Sequence, residues 1–300
     1  MKKRGIGMLL PLWVWTLLFV VFPMGYILLL SFVSGDAFGI RYVFTLDNYR
    51  RLLSADLLAC VVRTLKMSGL TTLFALLVGY PFAYFMARAK KRWRTTLLLL
   101  IVIPFWTSAL MRMFGWRIFF ESNGVFNGVL KWFHDLWYGF LRLFGGYADG
   151  MPKYRPVKLL YTRGLVLFGM VYTMLPFMVL PIYTVLIKLD RKLIEAAQDL
   201  GAPTHLVFRR VIFPLSIPGV ISGITMVFVP SVSTFVISQM LGSGKNLLVG
   251  DLIDLQFMGG AYNPHLGSAI ALVMTILILI CMCIMNNFDD GSSEEGGLLL

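Results

Sequence analysis

Six long apolar stretches alternate with shorter polar segments along the 300-residue chain. Each stretch holds roughly 20–25 residues, which at a rise of about 1.5 Å per residue crosses a hydrocarbon core of about 30 Å. The stretches are residues 8–32, 67–87, 95–115, 164–187, 217–240 and 266–286. None contains Asp, Glu or Lys, and Arg112 is their only arginine. The pattern predicts six transmembrane helices and an all-α integral membrane protein.

The polar segments divide the chain into three predicted parts. Residues 1–66 form an N-terminal transmembrane helix and an outer amphipathic segment, in which Thr45 or Asp47 caps a short helix. Residues 67–286 form the core transmembrane domain, with an interfacial helix on its outer face at 126–144. Residues 287–300 include the acidic run DDGSSEEGG and are predicted to be disordered.

Composition and charge agree with a membrane protein. The chain is 58% hydrophobic and 14% charged, against about 45–50% and about 25% in soluble domains. Its net charge of +12 does not indicate a nucleic-acid partner, because the basic residues cluster between the apolar stretches. The three cysteines support neither a disulfide framework nor a metal site.

Basic residues also predict the orientation of the chain. They concentrate at residues 2–4, in the run RAKKRWR at 88–94, and between 188 and 210. These segments alternate correctly along six spans to share the cytoplasmic side, which places both termini in the cytoplasm. The apolar run after Arg4 is too long for a signal peptide and predicts an uncleaved signal anchor.

One polar segment, LIEAAQDLGAPTHLVFRRVIFP, is unusually well organised. Asp190 is placed to cap a helix, and Gly201 is placed to end it in the left-handed conformation. The apolar stripe of this helix is Leu193, Ala196, Ala197 and Leu200. Residues 204–213 predict a second short helix before Pro214. Physics alone allows two interpretations: a loop helix resting on the membrane or bundle, or a docking surface for another protein.

The spacing of this segment resembles the EAA loop of ABC-importer permeases, whose pattern is EAA-x3-G-x9-I-x-L-P. The matching residues are Glu195, Ala196, Ala197, Gly201 and Pro214. Val211 and Phe213 stand where the pattern has Ile and Leu. The stretches FTLDNY, GYPFAYF, IPFWTSALMR, LPFMVLPIY and KNLLVGDLI further resemble the permease subunits of spermidine/putrescine importers. The acidic tail departs from the usual basic finish of that family.

The resemblance implies a type I ABC importer permease fold with a cytoplasmic coupling helix, in the bacterial inner membrane. Its coupling residues are Leu193, Glu195, Ala196, Ala197, Leu200 and Gly201. It also implies a second homologous permease, a dimeric cytoplasmic ABC ATPase, an extracytoplasmic binding protein and a polyamine substrate. ATP and Mg²⁺ then belong to the ATPase, and this chain carries no cofactor and no catalytic residue.

A polyamine path through spans without carboxylates must use aromatic rings, hydroxyls and backbone carbonyls. The candidates are Trp106, Thr107, Tyr172 and Ser233 in the spans, and Asp254 outside them. Each has an alternative role: packing for Trp106 and Tyr172, local hydrogen bonding for the hydroxyls, and a solvated helix face for Asp254 with Asp251. Arg112 has the wrong sign for a cation site and is expected to snorkel outward.

Other function classes find less support. A secondary transporter or channel usually carries ionisable residues in its spans or shows repeated halves. An intramembrane enzyme needs paired aspartates or a metalloprotease motif, and His134–Asp135 falls outside the spans. The run GSGKN is not a phosphate-binding loop, because Gln239 and Asn246 occupy positions that require Gly and Ser or Thr. A permease for another cationic or organic solute remains the main alternative.

Overall fold

The computed structural model describes residues 11–35, 42–143, 153–244, 247–259 and 262–297. Its helices are α1 (Pro11–Ser31), α2 (Asp47–Leu52), α3 (Ala55–Arg88), α4 (Lys91–Val102), α5 (Ala109–Phe119), α6 (Val125–Leu143), α7 (Arg163–Leu186), α8 (Arg191–Asp199), α9 (Thr204–Ser233), α10 (Val236–Gly242), α11 (Val249–Met258) and α12 (Pro264–Gly297). A two-stranded antiparallel ribbon, which the apolar pattern did not predict, pairs β1 (Val33–Gly35) with β2 (Tyr42–Phe44).

The prediction of six spans is confirmed with one change of form. Five helices are long and apolar enough to cross a membrane: α1, α3, α7, α9 and α12, the last over Pro264–Met285. The third predicted span, 95–115, is instead a pair of helices, Lys91–Trp106 and Ala109–Phe119, bent by 93°. The backbone of Thr107 is extended there, and Pro104 lies in the short turn that precedes it. Proline removes a backbone donor from a helix, which favours such a break.

The fifth span differs from the predicted 217–240. Helix α9 begins at Thr204 and runs without interruption to Ser233, so the predicted separate helix at 204–213 does not exist. A wider π-helical turn at Phe208–Ile212 keeps the chain helical as it approaches Pro214. Thr234 has an extended backbone, which ends α9 before the predicted limit.

The chain divides into two compact units. The first unit comprises Met1–Thr64 and Leu248–Ile284, and the second comprises Leu65–Leu247 and Met285–Leu300. Residues 248–284 thus lie in the same compact unit as the N-terminal residues. Helix α12 also continues to Gly297, where a disordered tail was predicted. Extending an existing helix avoids the cost of nucleating a new one.

Hydrogen bonds between distant parts of the sequence hold the first unit together. The backbone N–H of Val249 donates to the hydroxyl of Thr64 at 2.9 Å. His265 Nδ1 lies 3.2 Å from the carbonyl oxygen of Leu30. Near α2, the hydroxyl of Thr45 accepts the N–H of Asp47 at 3.2 Å, but the cap residue of the helix is Leu46, which makes no side-chain cap bond, so the predicted cap at Thr45 or Asp47 is wrong. The contacts of Val249 and His265 join residues that are separated by 185 and 235 positions in the sequence. They explain why 248–284 belongs to this unit.

Close packing of α7 against α9 forms the centre of the second unit. A Cβ atom at Gly219 would lie 3.0 Å from the Pro181 carbonyl oxygen and 3.1 Å from Ile182 Cα. A Cβ at Gly223 would lie 2.9 Å from Met178 Sδ. Gly219 and Gly223 are four residues apart, the small-xxx-small spacing that lets two membrane helices approach closely. The buried core around this contact includes Met178, Val179, Ile182 and Val227.

A buried asparagine fixes the segment that follows α6, the helix predicted at 126–144. Asn127 is 3% exposed, and its side chain forms hydrogen bonds with both the N–H and the carbonyl of Val157. Its Oδ1 accepts the Tyr154 hydroxyl at 2.9 Å and the Val157 N–H at 2.8 Å. Its Nδ2 donates to the carbonyl oxygens of Val157 and Glu121 at 3.1 and 3.2 Å. These bonds satisfy an otherwise costly buried amide.

Candidate coupling surface and substrate path

Helix α8 has a defined beginning and a defined end. Asp190 Oδ1 accepts the backbone N–H of Lys192 at 3.0 Å, which caps the first turn as predicted. Gly201 has φ +80, and Ala202 N–H donates to the Ala197 carbonyl at 3.1 Å. This arrangement satisfies the last carbonyls of the helix and needs a residue that tolerates the left-handed region. Helix α9 starts shortly afterwards at Thr204.

The apolar residues of α8 separate into an inner and an outer face. Ile194 and Ala197 pack against the buried core of the second unit. Leu193 and Leu200 are 51% and 89% exposed, and Ala196 and Glu195 are also exposed. Of the predicted stripe, only Ala197 therefore faces the protein. Exposed leucines beside a carboxylate form a surface suited to contact with another protein.

An aromatic contact joins the segment after α8 to helix α3. The Phe208 ring lies 5.8 Å from the Tyr80 ring and 5.6 Å from the Tyr84 ring, with interplanar angles of 89° and 87°. Such edge-to-face pairs are favourable beyond the area they bury. The Tyr80 hydroxyl also lies 2.8 Å from the Ser216 hydroxyl. Phe208, Tyr80 and Tyr84, which we name the aromatic clamp, thus bind α9 to α3 beside the coupling segment.

Sequence reasoning missed the aromatic clamp for a simple reason. Tyr80 and Ser216 are 136 positions apart, and each lies in an apolar or mixed run with no distinguishing spacing. The π-helical turn at Phe208–Ile212 marks this place in the structure, since such turns occur often at functional sites. The sequence does not reveal this turn, so it could not have pointed to the aromatic clamp.

The bend between α4 and α5 holds two of the predicted path residues. Trp106 is 80% exposed there, and Thr107 is exposed beside it. The Thr107 hydroxyl donates to the Pro104 carbonyl at 2.7 Å, and Arg112 Nη1 donates to the same oxygen. The guanidinium of Arg112 lies 5.1 Å from the Phe105 ring centroid. The expectation that Arg112 snorkels outward is wrong, because it turns back to satisfy a carbonyl that the bend releases.

Tyr172 lies in an aromatic cluster rather than alone in the path. Its ring is 5.3 Å from the ring of Trp116. Trp116 also contacts Phe168 at 4.9 Å and stacks on Phe120 at 5.7 Å. This is the packing alternative considered for Tyr172, although the ring remains partly exposed.

The other two candidates lie elsewhere. The Ser233 hydroxyl is exposed and donates to the Pro230 carbonyl of its own helix at 3.2 Å. Asp254 is partly buried on α11, in the first unit. Its neighbour Asp251 is 1% exposed and accepts the Leu248 N–H at 2.7 Å, so the two aspartates do not share a solvated face. Among the described residues, no hydrogen bond or ring contact joins Trp106, Tyr172 and Ser233 to one another.

The apolar spans, the bent helix pair and the capped helix–glycine–helix are those of a multi-pass membrane protein, and comparison with known proteins identifies its class. Residues 79–292 match the family of binding-protein-dependent transport system inner membrane components. The chain is 38% identical over 271 residues to the spermidine/putrescine transport system permease protein PotB of Salmonella typhimurium SL1344, covering 90% of this chain and 88% of that protein. PotB of Escherichia coli K12 is 38% identical over 265 residues, covering 88% and 90%.

A solved structure supports the same fold. The crystal structure of a bacterial ABC transporter that imports the acidic polysaccharide alginate matches with a TM-score of 0.69, covering 96% of each chain at 18% identity. The fold is therefore that of type I ABC importer permeases. The chain belongs to the family of binding-protein-dependent inner-membrane permeases, and within it to the PotB-type permeases. It is a multi-pass inner-membrane transport subunit rather than an enzyme.

Proposed function

We propose that this chain is one of two permease subunits that form the path for polyamine uptake, with spermidine and putrescine as substrates. The observation that carries the substrate is the 38% identity to spermidine/putrescine permeases over 90% of the chain. A relation of that extent covers the spans as well as the coupling segment. The identity therefore supports a shared substrate path and not only a shared binding surface for an ATPase.

The exposed face of α8 supports attachment to a separate ATPase. Leu193 and Leu200 expose apolar surface beside Glu195, while Ile194 and Ala197 anchor the helix to its own core. We infer that this outer face docks on a cytoplasmic ABC ATPase dimer, which holds ATP and Mg²⁺. The aromatic clamp joins α9, the helix that follows α8, to α3, and through this connection the ATPase would move the spans. An extracytoplasmic binding protein and a second permease complete the assembly.

The path residues are proposed to act through exposed rings and hydroxyls. Trp106 is the strongest candidate, because its indole is 80% exposed at a bend between two helices. An exposed indole offers a cation–π contact of about 0.5–2 kcal/mol to an ammonium group. Thr107, Tyr172 and Ser233 already bond or pack within the chain and would contribute weaker contacts. Asp254 is proposed as a charged contact outside the spans.

The assembly should be reconstituted in vesicles with its ATPase and binding protein, and ATP turnover measured with spermidine, putrescine and a neutral sugar. We expect both polyamines to stimulate turnover and labelled spermidine to accumulate, while the sugar has no effect. Stimulation by an unrelated solute without response to polyamines would contradict the substrate assignment.

Leu200→Glu tests whether the exposed face of α8 binds the ATPase. It replaces an 89% exposed side chain, so the fold should be unaffected, but it places a charge in the proposed docking surface. We expect co-purification of the ATPase to fall while expression and melting temperature stay unchanged. Wild-type co-purification and transport in this variant would remove α8 from the docking surface.

A further inference from the structure

A cavity of about 610 Å³ lies in the second unit, behind the coupling helix. Its walls come from the end of α3, the start of α4, the end of α7, one side of α8 and Ile212 of α9. Its polar lining residues are Tyr84, Arg88, Arg94, Glu195 and Gln198. The volume falls within the range of about 300–1,000 Å³ that is usual for small-molecule sites.

Two arginines line the cavity and give it a net positive charge. The Arg88 guanidinium carbon lies 4.8 Å from the ring centroid of Tyr84, and Arg94 Nε donates to the Ala89 carbonyl at 2.8 Å. Among the described residues, no carboxylate forms an ion pair with either guanidinium. The Nε bond leaves both terminal nitrogens of Arg94 available for an anion. Oxygens of a phosphate suit such a pair of forked donors.

The remaining lining is aliphatic, which indicates an amphipathic occupant. Ala87, Leu186, Leu189, Ile194 and Ile212 face the cavity beside the arginines. The cavity also lies where two spans end, since α3 stops at Arg88 and α7 stops at Leu186. Ends of spans lie at the level of lipid headgroups. A polyamine would be repelled by both arginines, so this cavity is not part of the substrate path.

We propose that this cavity binds the phosphate group of an anionic phospholipid from the cytoplasmic leaflet, with the phosphodiester on Arg88 and Arg94 and the acyl region along the aliphatic wall. The cytoplasmic position rests on the orientation in the proposed function. Glu195 also lines the cavity and leaves it with a net charge of +1. That favours a phosphodiester with one negative charge over a nucleotide or another polyphosphate, which the carboxylate would repel.

The site would place a lipid in contact with the coupling helix. Ile194, Glu195 and Gln198 belong to α8, and the two arginines belong to the α3–α4 connection. A bound headgroup would therefore bridge the docking helix and the spans. Nothing in the EAA pattern itself requires the two arginines at this place.

The full-length chain should be purified in detergent, stripped of lipid and titrated with phosphatidylglycerol or phosphatidylcholine, with binding followed by native mass spectrometry. We expect one phosphatidylglycerol to bind in preference to phosphatidylcholine. Arg94→Gln and Arg88→Gln should each weaken binding about tenfold, as expected for loss of a charge-assisted hydrogen bond. Arg92→Gln removes the same charge from an exposed neighbour that does not line the cavity, and should change binding by about twofold or less.

Equal binding of the two lipids by the wild-type chain would overturn the proposal, whatever the variants do. So would an effect of Arg92→Gln as large as that of Arg94→Gln, because the attraction would then be non-specific. Displacement of the lipid by millimolar inorganic phosphate would assign the cavity to a free phosphate instead. The binding measurement needs no transport, so its failure leaves polyamine uptake untouched, and a failed transport assay leaves the lipid result standing.

Discussion

At the scale of single residues, Gly201 is a position whose backbone conformation requires glycine or a residue that tolerates the left-handed region. Its φ of +80 turns the chain from α8 into α9, and a Cβ atom there would meet nothing within 4 Å. The requirement for glycine is therefore conformational and not a matter of space. Residues with a β-branched side chain strongly resist this region, whereas Asn enters it readily.

Gly201→Val should accordingly uncouple transport from ATP hydrolysis. The substitution strains the turn that presents Leu200 and Glu195, while the spans keep their packing. We expect normal membrane insertion with strongly reduced spermidine uptake, measured in vesicles at matched protein amounts. Gly201→Asn is the control, because it adds a side chain but tolerates the left-handed region, and it should retain most of the uptake. Wild-type uptake by Gly201→Val would show that the turn has no role in coupling.

At the scale of elements, the contact between α7 and α9 depends on two glycines rather than on large apolar side chains. The Cβ that Gly219 lacks would approach backbone atoms of α7, which cannot move without displacing the helix. In a membrane the lipid tails are as apolar as leucine, so close packing becomes a main source of helix association. The sequence shows both glycines, yet it does not show which helix they face.

Gly219→Ala should lower the free energy of unfolding by about 1–3 kcal/mol, because one methyl group overfills a tight helix contact. The control is Gly115→Ala on α5, where an added Cβ would have nothing within 4 Å. Alanine there should be neutral or stabilising by about 0.5–1 kcal/mol, since glycine weakens a helix. Both variants can be compared by thermal unfolding in detergent. Equal stability of the two would refute the close contact.

At the scale of the whole molecule, the orientation of the chain decides on which side of the membrane α8 and α6 lie. The distribution of basic residues predicts that α8 lies in the cytoplasm and that α6 lies on the outer face. Leu200 on the α8 segment and Trp137 on α6 are both well exposed, at 89% and 61%. They are therefore suitable reporters of the two sides.

In a variant without the three native cysteines, Trp137→Cys should react with a membrane-impermeant maleimide added to intact cells. Leu200→Cys should react only after the membrane is permeabilised, because the reagent cannot cross the bilayer. The extent of labelling on gels is the measurement. The opposite pattern would invert the topology and place the proposed ATPase contact on the wrong side.

The apolar spans and the helix–glycine–helix segment at 190–214 could be predicted from the sequence alone. Those properties depend on local composition and short spacing: about 20 apolar residues cross a bilayer wherever they occur, and Asp190 and Gly201 cap a helix through neighbouring atoms. The same locality explains why helix type was predicted well and the limits of α9 were not. A π-helical turn and three prolines are compatible with either an interrupted or a continuous helix.

Contacts between residues far apart in the sequence are visible only in the folded structure. The 93° bend with Arg112 on the Pro104 carbonyl, the aromatic clamp, and the cavity of Arg88 and Arg94 behind α8 each join side chains from different turns or helices. The same is true of residues 248–284, which join the N-terminal unit through contacts such as Val249 with Thr64. Such pairings depend on helix rotation and distance, which periodicity does not encode, because an apolar residue that faces lipid reads the same as one that faces a neighbouring helix.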